Sequence, residues 1–139
     1  MKIKILIAVV VILWIGMILA IGMESIVKFQ TPTLTKSVAF DVGRTVFGAF
    51  NKAQMILLGL IIIGAIYTSL TKVDNALITG LIIVLFLQVF WLFPQLSERV
   101  DMILAGVTPP ATYKHGLYGG LEVLKLVFLS VLGFKLLLS

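Results

Sequence analysis

Six side chains carry the chemistry available to this chain: Arg44, Asn51, Glu98, Asp101, His115 and Glu122. Glu122 stands out because its neighbours Leu121, Val123, Leu124 and Leu126 are all apolar. A charged group near a bilayer centre costs at least about 2.5 kcal/mol, so such a residue faces a partner, a cavity or a pathway. His115, Tyr118, Glu122 and Lys125 recur at helical spacings on one face. That face is expected to look inward, with Glu122 bonded to Arg44, Asn51, Lys52, Gln95 or Tyr118, or to an ordered water. The plainer alternative pairs Glu122 with an Arg or Lys while Lys125 snorkels to the interface. Asp41, Arg44, Gly48, Asn51 and Met55 share a helical face further upstream. Counting outward along a hairpin brings Arg44 level with Asp101 and Gly48 near Glu98, so Arg44 should pair with an acidic residue of the third or fourth helix, Glu98, Asp101 or Glu122, with depth favouring the first two. Such a pair is either an exposed clamp worth about 0 to 1 kcal/mol or part of a polar site.

The elements that position these residues are set by composition. Hydrophobic residues make up 60% of the 139-residue chain and charged ones 12%, far from the roughly 25% charge of soluble domains. A single transmembrane domain over 1–139 follows, its core formed by helix against helix. A bilayer core of about 30 Å takes roughly 20 apolar residues per helix, and four segments meet that length, about 5–23, 53–71, 75–93 and 117–138. The expected fold is all-α, an up-down-up-down four-helix membrane bundle. "KVD" is read as the turn between the second and third spans. The first segment also has the look of a secretory signal, but its apolar stretch is long for one, which favours a retained span.

Helical patterning continues past two of the spans. "SVAFDVGRTVFGAFNK" precedes the second and "PQLSERVDMILAG" follows the third, with Leu96, Val100, Ile103 and Leu104 as an apolar stripe. A helix over 37–70 is about 51 Å long at 1.5 Å per residue, so the second and third helices should extend beyond the bilayer. A Thr or Ser caps the second helix after "FQTPTLT", Gly106 stops the third, and Pro94 removes one hydrogen bond and predicts a kink.

The +5 formal charge does not point to nucleic acid, because Lys and Arg lie at the ends of apolar runs where headgroups are met. Lys2, Lys4, Lys72 and Lys135 fall on one side, and Lys28, Lys36, Arg44, Lys52, Arg99 and Lys114 on the other. That balance leaves orientation open. Absence of cysteine removes thiolate metal sites, and a lone histidine excludes a two-histidine haem within one chain. No phosphate loop, dinucleotide fingerprint or metalloprotease helix is present, so no enzyme, cofactor or metal is expected. Gly16 with Ala20, Ala76 with Gly80, and Gly116 with Gly120 are read as packing points inside the bundle. Trp91, Phe93 and Tyr113 suit an aromatic belt and Trp14 suits packing.

The stretches "GMESIVKF", "DVGRTVFGAFNKAQ", "LSERVDMILAG" and "YKHGLYGGLEVLKL" resemble the small bacterial four-helix membrane proteins grouped loosely with the transmembrane family associated with cisplatin resistance. His115 and Gly116 would match its His-Gly pair at the last helix, and Gly43, Phe47 and Asn51 its pattern on the second. The resemblance implies a bacterial inner membrane and the four-helix fold, and brings no activity or catalytic residue. Three functions follow as expectations: a structural or accessory subunit of a larger complex or homo-oligomer, a small-solute carrier or channel using the polar cluster, and a lipid or quinone binder whose headgroup meets His115.

Overall fold

The computed structural model describes residues 2–139. Its elements are α1 (Lys2–Val27), α2 (Lys36–Ile66), α3 (Lys72–Phe86), α4 (Phe93–Leu104) and α5 (Lys114–Leu138). A short 3₁₀ turn, Lys28–Gln30, follows α1, and a π-helical segment, Leu87–Leu92, joins α3 to α4 without a break. Among the described residues the chain is thus four helical rods with no strand. Three are long and apolar enough to cross a membrane: Lys2–Gln30, Lys36–Ile66 and Lys72–Leu104. The fourth, α5, has 25 residues but carries Glu122, Lys125 and Lys135, and falls outside that group.

Local chemistry sets the ends. Thr35 caps α2 by accepting from the Val38 N–H. The turn between the second and third rods is not "KVD", because Thr71 Oγ1 accepts from the Asp74 N–H while Asp74 Oδ2 accepts from the Thr71 N–H, each at 3.1 Å. This reciprocal capping box makes Lys72, Val73 and Asp74 the first turn of α3 and leaves 67–71 as the connection. At the far end Gly106 has φ 79°, and the N–H groups of Gly106 and Val107 bond to the carbonyls of Ile103 and Met102. That pair of bonds is a Schellman stop, and its left-handed residue suits glycine. Pro94 has no N–H for the Phe90 carbonyl. The rod absorbs the loss before Pro94, where the Phe93 N–H reaches back five residues to Gln88, a π turn in place of a break.

Ile7, Val11 and Trp14 of α1, Leu57 and Ile61 of α2, Leu81 and Leu85 of α3, and Leu129, Leu132 and Leu136 of α5 form one apolar core. The outward faces are apolar too: Leu6, Ile66 and Phe134 are 63%, 72% and 70% exposed. A surface of that kind suits lipid, which is as apolar as leucine. Packing glycines are not where the small-residue pairs placed them. Gly16, Gly116 and Gly120 have nothing within 4 Å of where a Cβ would stand, whereas Gly64 lies against Ile7, Gly80 against Phe128 and Gly133 against Val11. Only the Ala76 and Gly80 pair contributes a glycine to a close helix contact.

Candidate functional site

One end of the bundle holds a cavity of about 640 Å³, enclosed by the last turns of α1, the first turns of α2 and α5, and the rod that ends in α4. Its walls are mainly apolar, with Phe40, Phe47, Phe93, Leu96, Val100 and Ile103 facing it. The stripe along α4 therefore lines a cavity, and Phe93 faces inward, not into an aromatic belt. Two polar layers bound this space.

The outer layer centres on Arg44. Its guanidinium bonds Asp101 across the bundle, Asp41 one turn back on α2 at 2.7 Å, and the Ser97 carbonyl at 3.3 Å. The side chain of Asp101 is 66% exposed and that of Arg44 24%, so these pairs sit at the rim. Arg99 donates to the Pro110 carbonyl and ties α4 to the following loop. Lys28 is mostly buried at the wall, 3.4 Å from Glu24, and reaches the cavity over Gly43, where any Cβ would meet its ammonium. His115 is exposed on the rim. Lys28 and Arg44 are matched to carboxylates of the chain itself, and Arg99 is held by a backbone carbonyl.

The inner layer is largely buried, and five of its seven members lie outside the six side chains singled out in the sequence. Lys125 is fully buried instead of snorkelling. Its ammonium donates to Glu122 Oε1 at 2.9 Å and to Gln54 Oε1, and it stands 5.7 Å from the centre of the Phe50 ring. Trp14 donates to the same Gln54 oxygen at 3.0 Å, so it is a polar link as well as a packing residue. Two donors on one oxygen fix the amide orientation, and the Gln54 nitrogen then donates to Asn51 Oδ1 at 3.2 Å. Tyr118 Oη donates to that Asn51 oxygen, also at 3.2 Å. Gln88, held in the π segment, donates through Nε2 to the Tyr118 carbonyl and to Glu122 Oε1, both at 3.2 Å.

Glu122 thus faces the interior, but its donors are Gln88 and Lys125, not the five side chains expected. Arg44 is occupied by the rim carboxylates, Lys52 is exposed, and the Tyr118 hydroxyl is turned to Asn51. The structure brings Asn51 and Glu122 into one layer and Arg44 and Asp101 into the other. Glu98 joins neither: it is exposed on α4, and Gly48, placed beside it by depth counting, lies against Phe93. Buried amides gave no warning, because Gln54 and Gln88 carry no charge to mark them out in an apolar run.

Satisfaction of the inner layer is incomplete at three atoms. Glu122 Oε2, Gln88 Oε1 and Asn51 Nδ2 are buried with no hydrogen-bond partner among the described residues. Buried polar groups are nearly always bonded, and Glu122 and Tyr118 belong to the cavity lining. The site can therefore hold an apolar body between aromatic walls and meet a polar group at its floor. No family model, curated protein or solved structure matches this chain.

Proposed function

We propose that this chain is a non-enzymatic integral membrane protein that binds a small amphipathic molecule in the cavity at the heads of α2, α4 and α5. The carrying observation is a 640 Å³ space with aromatic walls whose lining includes Glu122, a carboxylate with one oxygen unbonded. Ligand pockets typically occupy about 300 to 1,000 Å³, with apolar walls and a few convergent polar groups. This develops the expectation of a lipid or quinone binder and moves its polar contact from His115 at the rim to Glu122 at the floor. A flux pathway has less support, because Lys125 and the core leucines below it close the bundle.

The membrane setting belongs to the same reading. We place α5 across the bilayer as a fourth span, its two buried charges paired within the bundle. An up-down-up-down arrangement is supported by the contact of Gly64 with Ile7 and the pairing of Arg44 with Asp101 and Lys135 with Asp74, each of which matches opposite ends of successive rods. At 1.5 Å per residue α2 is about 46 Å long and the α3 to α4 rod about 50 Å, so both extend past a core of about 30 Å and carry the rim into the headgroup region. The resemblance to bacterial four-helix proteins would put the chain in an inner membrane.

Gly119 provides the test. It lines the cavity and has nothing within 4 Å of a Cβ position, so Gly119→Phe can start a ring at the cavity wall from an unobstructed Cβ. Native mass spectrometry of protein extracted in mild detergent should find an amphipathic molecule retained by the wild type and absent from Gly119→Phe. Equal retention by both would defeat the cavity as the binding site. Bare protein accompanied by a stoichiometric polypeptide would instead favour the accessory-subunit expectation.

A further inference from the structure

The cavity floor has a chemical preference of its own. Glu122 takes both of its hydrogen bonds, from Gln88 and Lys125, through Oε1 alone. Oε2 of the same carboxylate is buried and unbonded. Next to it Gln88 uses its amide nitrogen twice and leaves its own oxygen without a donor. Of these two acceptors the Glu122 oxygen belongs to a residue of the cavity lining, and acceptors are completed by a donor.

Charge decides what kind of donor. The Glu122 carboxylate already faces the Lys125 ammonium at 2.9 Å, so the floor is balanced. A cationic head would add an uncompensated charge in an apolar enclosure, and an anionic one would meet the carboxylate directly. At the rim Lys28 has Glu24 and Arg44 has both Asp41 and Asp101, and Arg99, held by the Pro110 carbonyl, lies on α4 away from the Glu122 floor. The walls narrow the body of the ligand. Phe47 and Tyr118 stand edge to face with ring centres 5.7 Å apart, Phe93 of α4 also lines the cavity, and rings pack well against such edges.

We propose that the ligand is a neutral ring compound bearing a hydroxyl group, a phenol or quinol, whose O–H donates to Glu122 Oε2. The inference rests on the cavity-binding reading above and adds the head-group chemistry to it. Glu122 acts as the specificity residue, and Gln88 and Lys125 hold its carboxylate in place.

The probes are 4-nonylphenol and its methyl ether, 4-nonylanisole, which share one apolar body and differ in the O–H. Equilibrium binding is measured to the full-length protein in lipid nanodiscs, with empty nanodiscs subtracting partition into lipid. Wild type should bind the phenol saturably and the ether about ten- to a hundredfold more weakly, the range expected for one hydrogen bond to a charged acceptor. Gly119→Phe should abolish both. Equal affinity for the two probes, each lost in Gly119→Phe, overturns the donor assignment and leaves the cavity reading standing. Binding of the phenol unaffected by Gly119→Phe, or no saturable binding of either probe, overturns both.

Discussion

Removing the Lys125 ammonium tests whether the inner layer is an ionised pair or an ordinary polar contact. In Lys125→Met the Glu122 carboxylate, whose side chain is 16% exposed, keeps only the Gln88 donor at 3.2 Å. Leaving one member of a buried pair uncompensated typically costs about 3 to 5 kcal/mol. Glu122→Leu is expected to lose a similar amount, because the fully buried ammonium retains only the Gln54 oxygen and the face of Phe50. The double variant removes both charges and leaves two amides short of one partner each, at about 1 to 3 kcal/mol in total. The coupling between the two sites should therefore exceed about 3 kcal/mol. Interhelical hydrogen bonds in membranes average about 0.6 kcal/mol and reach about 1.7, so the two descriptions are separable. Unfolding in mixed micelles titrated with dodecyl sulfate, followed by far-ultraviolet circular dichroism, gives the four stabilities. A coupling below about 2 kcal/mol, within the range of ordinary interhelical bonds, would refute the ionised description of the layer.

The rim should behave differently. Arg44→Gln loses bonds to carboxylates that are themselves 45% and 66% exposed, so the same titration should register about 1 kcal/mol or less, shrinking further as salt is raised. Two glycines should part company in a similar experiment. Gly64→Ala puts a Cβ 2.8 Å from the buried Ile7 side chain and should lose about 1 to 3 kcal/mol by overpacking. Gly16→Ala meets nothing within 4 Å and should be neutral or gain up to about 1 kcal/mol through helix propensity; equal effects at the two sites would contradict the packing described.

What could be read in advance divides by the kind of force involved. The long rods were legible because uncharged runs of bilayer length have few alternatives, and Arg44 with Asp101 because helical rise is constant enough to count depth along a hairpin. Helix boundaries at Thr35 and Gly106 announced themselves through capping chemistry. The same signal was present at Thr71 as "TKVD", but a hydropathy reading runs straight through a short turn, and the capping box went unread. Gln54, Gln88 and Trp14 were illegible for a different reason. An amide or indole within an apolar run carries no penalty large enough to fix its direction, so its partner emerges only when the neighbouring helices are in place. Lys125 was visible but misdirected, because a lysine alone in a helix is expected to reach for the interface. Gln54, Glu122 and Phe50 converge to hold it inside. The π segment needed Pro94 to be read together with the carbonyl it deprives, and the sequence offered only the proline.

The two polar layers have different mechanical consequences for the cavity between them. Apolar side chains set helix register weakly in lipid, since a leucine loses little by exchanging a helix neighbour for an acyl chain. The inner layer draws on Trp14 of α1, Asn51 and Gln54 of α2, Gln88 of the π segment, and Tyr118, Glu122 and Lys125 of α5. Sliding any one of these rods by a turn, about 5.4 Å, would break at least one buried bond and strand its partner, so this layer pins all four rods at one depth. At the rim, Arg44 holds two carboxylates that are largely exposed, where water replaces a broken bond at little cost. The cavity is therefore fixed at its floor and compliant at its mouth. A binding site arranged this way would admit a ligand between α2 and α4 by opening the weak, hydrated contacts of Arg44, while the Glu122 oxygen of the proposed site stays in position.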